Sequence, residues 1–91
     1  MQFSWDPRKA ETNVRKHGVT FEEAITVFRD PLAWIHDDLD HSIGERREII
    51  IGMSTAGRLI LVSFTERGAT VRIINAREPD RAERRDYEES L

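Results

Sequence analysis

The clearest periodic signal in the chain is at Phe21, Ala24, Ile25 and Phe28, which recur at i, i+3, i+4 and i+7. That is the spacing of one buried helical face. Thr20 and Glu23 stand where a capping box would sit, with Val19 and Ala24 around them as a hydrophobic staple. Asp30-Pro31 predicts the stop, because the residue before proline is pushed out of helical geometry. Ahead of this helix, "QFSW" alternates like a short strand. Asp6 and Pro7 then suit the cap and first position of another helix, which runs to about His17 with Gly18 as its left-handed end. The apolar stripe of that first helix is thin, with Ala10 and Val14 and His17 on the same side. It therefore needs a larger body to lie on.

From Leu32 the period shortens to that of strands. "LAWIH" predicts a strand, "DDLDHSIGE" a polar loop, and "RREIIIGMS" a strand covered on at least one face. "RLILVSFTE" and "TVRIINAR" complete a meander, with turns at "TAG" and "RGA" where glycine suits tight hairpins. After Pro79, "DRAERRDYEESL" predicts a charged helix with Asp80–Arg84, Arg84–Glu88 and Arg85–Glu89 at i, i+4 spacing. The expected fold class is α+β: an N-terminal strand, two helices packed on an antiparallel sheet of about four to five strands, and a C-terminal helix. The face away from the helices is expected to be free. Residues 1–91 form one domain by length.

Two helices joined at "HGVT" invite a helix-turn-helix reading. The second helix, however, places Glu22 and Glu23 where a recognition helix meets phosphate, and its other positions are apolar. Packing against a sheet is the better account.

Charge narrows the picture further. The chain carries a net −3, yet arginine appears twelve times and lysine only as Lys9 and Lys16. Any nucleic-acid contact must then be local, because the overall field does not attract a polyanion. Guanidinium is the group that grips phosphate with a planar fork of donors. Cysteine is absent, which excludes disulfides and thiolate metal sites and suits a reducing cytoplasm. No segment reads as a membrane span or a signal peptide.

Four blocks, "FSWDPRKAETNVRKHGVTFEEAITVFRDP", "HSIGERREIIIGMS", "GRLILVSFTERG" and "RIINAREPDRAERRDYE", resemble the BrnT toxins of type II toxin–antitoxin pairs, in that family's order and across nearly the whole chain. The resemblance implies a RelE-like fold and ribonuclease activity that arrests translation. It also implies a BrnA-like ribbon-helix-helix antitoxin as partner, with operon DNA reached only through that partner. The alternative function is a catalytically weak binding module that assembles with the antitoxin.

RNA cleavage through the 2′-hydroxyl needs a proton acceptor, cations around the phosphorane and a proton donor for the leaving oxygen. No cofactor or metal is expected on that route. The candidate catalytic residues are Arg67 and Arg77 near strand ends, His17 and Tyr87. His17 is equally suited to closing a helix C-terminus as a cation, and Tyr87 to anchoring the last helix. Candidate RNA-binding residues are Lys16, Arg46, Arg58 and Arg72. Arg72 and Arg77 have opposite parity, so they share a face only if their strand bends between them. "HDDLDH", from His36 to His41, holds two histidines and three aspartates but lacks structural-zinc spacing, and it reads as a solvated acidic loop.

Overall fold

A computed structural model describes residues 1–91. The chain runs β1 (Gln2–Ser4), α1 (Pro7–His17), α2 (Phe21–Thr26), β2 (Trp34–Asp37), β3 (Glu48–Met53), β4 (Leu59–Arg67), β5 (Thr70–Arg77) and α3 (Arg81–Glu89). Single 3-10 turns at Val27–Arg29 and Leu39–His41 extend α2 and interrupt the acidic loop. The five strands form one sheet in the order β1-β5-β4-β3-β2. Strands β2 to β5 are antiparallel neighbours, as the meander requires, but β1 lies parallel to β5. The sheet is therefore mixed rather than purely antiparallel.

Local chemistry accounts for most boundaries. Asp6 accepts from the Arg8 amide at 2.8 Å, Pro7 opens α1, and Gly18 at φ 66° closes it by donating to Val14. Gly68 carries φ 60° while no other residue type has positive φ. Gly68-Ala69 thus turns β4 into β5 with positive φ at the first central position alone, the pattern of a tight hairpin that follows strand twist. The predicted capping box at Thr20 is only half present. Thr20 accepts from the Glu23 amide, but the Glu23 carboxylate reaches instead to Arg58 and Ser54 on the β3–β4 hairpin. A full box forms at Asp80 and Glu83, at the start of α3.

The sheet is covered on both faces. Helices α1 and α2 close one face over Phe21, Ala24, Val27, Ile60, Val62 and Phe64. Burying each large side chain there contributes about 1.5–3 kcal/mol. On the other face Tyr87 of α3 packs on Ile51, Leu59 and Leu61. The expectation of a free second face is thus corrected. Tyr87 and the Glu83–Arg77 pair dock α3, and beyond Leu61 this face holds a cavity between α3 and the acidic loop while Ser63 and Thr65 of β4 are buried. None of the ion pairs predicted within α3 forms; the ion pair this helix does make is Glu83 with Arg77 of β5, at 2.7 Å.

A β-bulge decides which residues of β5 face that region. Ser63 of β4 faces Asn75, and the next residue, Phe64, faces Ile73, so Ile74 has no partner. The extra residue reverses parity along the strand. Arg72 pairs with Thr65 and Arg77 with Leu61, positions an even number apart on β4, so both arginines project from the same face. The bend that their shared face requires is this bulge.

Candidate active site

Strand β1 ends opposite Arg72, which leaves the outer margin of β5 without a strand neighbour from Ile73 to Arg77. Helix α1 takes that place. Asn13, the one buried residue of α1, donates from Nδ2 to the Ala76 carbonyl at 2.8 Å and accepts from the Ala76 amide at 3.0 Å. Its second Nδ2 hydrogen goes to the Val19 carbonyl at 2.9 Å. A side-chain amide thus supplies what a neighbouring strand would have supplied, and it holds α1 at a set distance from the bulge.

Three cavities open around this margin. The first, about 410 Å³, is a groove between α1 and β5 whose charged lining is Arg8, Lys9, Lys16 and Arg77, with His17 at one end and no carboxylate. The second, about 320 Å³, lies on the α3 side of the sheet, between the acidic loop and α3, and draws on Asp38, His41, Arg47, Asn75, Arg77 and Glu83. Asn75 and Arg77 line both, so the two cavities meet at the end of β5. A third, about 120 Å³, contains Arg67, Arg72 and Arg47, shares Lys9 with the groove and shares Arg47 with the second cavity.

Arg77 stands at the junction. Its guanidinium donates to both Glu83 oxygens, at 2.7 and 2.8 Å, and one of those oxygens also accepts the Asp80 amide that begins α3. The Arg77 guanidinium holds the Glu83 carboxyl below the usual carboxylate range, and Glu83 in turn raises Arg77, so the pair stays charged. The fork is oriented by the pair but not used up. Its Nε–H has no protein partner and remains available to a ligand.

The other arginines do not gather into a row. Arg46 is held by Asp37 at 2.7 Å, Arg58 by Glu23 at 2.7 Å, and Arg67 by Glu45 at 3.2 Å. Arg58 ties the β3–β4 hairpin to α2 and lines none of the three cavities. Arg46 also lies outside them. Arg72 has only Ser4 Oγ at 3.4 Å, and Arg47 has no carboxylate within ion-pair distance. Tyr87 lines no cavity either. The residue is 7% exposed and its hydroxyl donates to Asp30 at 2.9 Å, an arrangement that fits the anchoring role.

The structure also brings to the site residues of the acidic loop, which by sequence reads as solvated. His41 Nδ1 lies 2.9 Å from Asp38 Oδ2, with the other ring nitrogen free of any protein partner. Ser42 pins the loop that carries them, donating to the Asp38 carbonyl at 2.6 Å and accepting the Arg47 amide at 3.0 Å. A carboxylate on one imidazole nitrogen fixes the tautomer and leaves the other nitrogen free, on a residue that lines the second cavity. The i, i+3 spacing of Asp38 and His41 was the available signal. Asn13 and the cationic pair Arg8 and Lys9 also had no local signature of function.

The fold and its joined cavities define a small α+β protein that gathers guanidinium, imidazole and amide groups around the end of β5. The chain belongs to the BrnT family: the family model described as the ribonuclease toxin, BrnT, of type II toxin–antitoxin systems matches residues 5–83. Membership makes it the toxin half of a pair, with an antitoxin as its counterpart. The fold is similar to that of the Brucella abortus ribonuclease toxin BrnT, with a TM-score of 0.68 over 89% of this chain and 99% of that one, at 24% identity. Comparison with curated protein sequences gives no match. No helix is long and apolar enough to cross a membrane.

Proposed function

We propose that the chain cuts RNA without a metal ion, by attack of a ribose 2′-hydroxyl on the adjacent phosphorus, and that this cleavage arrests translation in the cytoplasm. The observation that carries the reading is the junction at Arg77. There a fixed guanidinium with a free Nε–H faces a cavity that also holds Arg47, Asn75 and an imidazole oriented by a carboxylate.

The chemistry follows from those groups. His41, with Nδ1 on Asp38, accepts the 2′-hydroxyl proton at Nε2 as the 2′-oxygen–phosphorus bond forms. Arg77 and Arg47 donate to the non-bridging oxygens, where charge grows in the transition state. The bond to the 5′-oxygen then breaks, and that oxygen takes a proton from His17 in its imidazolium form, at the groove end of the same junction. The products are a 2′,3′-cyclic phosphate and a free 5′-hydroxyl. Lys16, Arg67 and Arg72 contact flanking phosphates. The antitoxin is of the BrnA-like ribbon-helix-helix kind, and DNA is reached only through it.

The test is RNA cleavage in chelator, with the product ends identified, for the wild type, His41→Ala and Arg77→Ala. His41 is 68% exposed, so its loss leaves melting unchanged. General-base removal is expected to slow cleavage about 10²- to 10⁴-fold. Arg77→Ala is expected to lose cleavage and some stability together, since Glu83 keeps its charge without its partner. Cleavage abolished by chelator, or full activity in His41→Ala, overturns the mechanism. The arginines locked to Asp37, Glu23 and Glu45 favour a second reading, a catalytically weak module that assembles with the antitoxin. That reading predicts intact RNA together with a stable complex.

A further inference from the structure

The groove between α1 and β5 differs from the other two cavities, which include Asp6 and Glu45 or Asp38 and Glu83 in their lining. In a protein of net charge −3 it is lined by Arg8, Lys9, Lys16 and Arg77, and by no acid. Arg8, Lys9 and Lys16 make no ion pair, unlike Arg46, Arg58, Arg67 and Arg77, which are each tied to a carboxylate. Helical geometry explains the sorting. At 100° per residue, Arg8, Lys9, Thr12, Lys16 and His17 project toward β5, while Glu11 projects from the opposite side of α1. Asn13 keeps this face seated on the margin of β5 through Ala76, so the cations are spaced along a fixed wall.

We propose that this groove is a track for the phosphodiester backbone of single-stranded RNA, which leads the strand along α1 to the junction at Arg77. The track rests on the ribonuclease reading above and adds where the strand lies beyond the cut. Asn13 lies against Ala76, so the His17 end of α1 adjoins Arg77. Arg8 and Lys9 belong to the far end, where Lys9 also lines the small cavity that contains Arg72. A strand entering by Arg72 and Lys9 passes Thr12 and Lys16 before it reaches the scissile phosphate. The contacts are to phosphate, so they carry affinity and salt dependence rather than base preference.

The experiment measures binding of a fluorescein-labelled 2′-O-methyl RNA 12-mer, which lacks the attacking hydroxyl and cannot be cut, by anisotropy across a salt series. Lys9→Gln/Lys16→Gln is compared with Arg84→Gln/Arg85→Gln. The second double variant removes the same charge from exposed positions of α3 that line no cavity. For single strands log K falls with log salt by about 0.7 per phosphate contact, so a contact contributes about fivefold at 0.1 M relative to 1 M. Losing two is expected to weaken binding about 25-fold at 0.1 M and to reduce the salt slope by about 1.4. The α3 double variant should stay within about twofold of the wild type.

Equal weakening by both double variants overturns the track, because any lost charge would then serve. So does wild-type affinity in Lys9→Gln/Lys16→Gln, and so does complete displacement of the 12-mer by millimolar inorganic phosphate or adenosine monophosphate, which would mark a small-anion site. Failure of the two ideas is distinguishable. A wild type that binds the 12-mer through Lys9 and Lys16 but leaves ordinary RNA intact sinks the catalytic reading alone.

Discussion

Replacing Tyr87 by phenylalanine separates chemistry from anchoring at the one aromatic residue of α3. The phenol donates to Asp30 Oδ2 at 2.9 Å, and Asp30 also receives the Met53 amide at 2.8 Å and the Leu32 amide at 2.9 Å. Burial alone would push the Asp30 carboxyl up, but these three donors outweigh it and hold the group below its usual range. Burial, followed by the hydrogen bond to Asp30 and then that carboxylate's charge, raises the Tyr87 phenol, so the hydroxyl remains a donor at neutral pH. A hydrogen bond to a charged acceptor contributes about 1.5–3 kcal/mol. The lower end applies here, about 1.5 kcal/mol, because Asp30 keeps two backbone donors. For a domain of this size that corresponds to a melting point lower by about 6–12 °C. The ring contacts with Ile51, Leu59 and Leu61 survive, so α3 stays docked. The assay pairs urea unfolding with RNA cleavage per folded molecule. The expected result is reduced stability, an unchanged denaturant slope and unchanged cleavage. Wild-type stability with cleavage lost a hundredfold would show that the phenol acts on substrate, and the anchoring argument would be wrong.

Three further outcomes follow from the same contacts. Asn13→Ala leaves the Ala76 amide and two carbonyls without their partner, which costs about 3–5 kcal/mol; faster hydrogen exchange at the Ala76 amide should accompany a lower urea midpoint, and a loss under about 1 kcal/mol would contradict the assigned role. Arg58 and Arg77 hold the carboxyls of Glu23 and Glu83 below the ordinary value of 4.5. The unfolded chain therefore binds more protons just below that pH, and the stability these groups add above it drains away as pH falls through the folded values. Glu23→Gln should flatten the fall in urea midpoint between about pH 6 and 3, and a profile as steep as the wild type would count against the pair. A methyl group added at Gly52 would lie 2.9 Å from Val27 Cγ1 and 3.1 Å from Ala33 Cβ. Gly52→Ala should thus cost about 1–3 kcal/mol by overpacking, read as a drop in melting temperature.

The elements were legible in the chain because each is encoded within its own span. Asp6-Pro7 and Gly18 bound α1, the apolar spacing from Phe21 to Phe28 marks α2, and the meander follows from alternation and glycine turns. Facing and partnership were not legible, because they depend on register between segments far apart. Glu23 leaves its own helix to meet Arg58, thirty-five residues away. One unpaired residue, Ile74, reverses the parity of β5 and turns Arg72 and Arg77 to the same side. Strand β1 stops early enough for α1 to replace it through Asn13, which makes a groove out of cations scattered along a polar helix. The sequence by itself determined which segments are helix and strand and that phosphate-gripping side chains were plentiful. The tertiary structure alone decided which of them are neutralised by carboxylates and which stand free, since ion pairing is a matter of a few ångströms between groups that local periodicity does not relate.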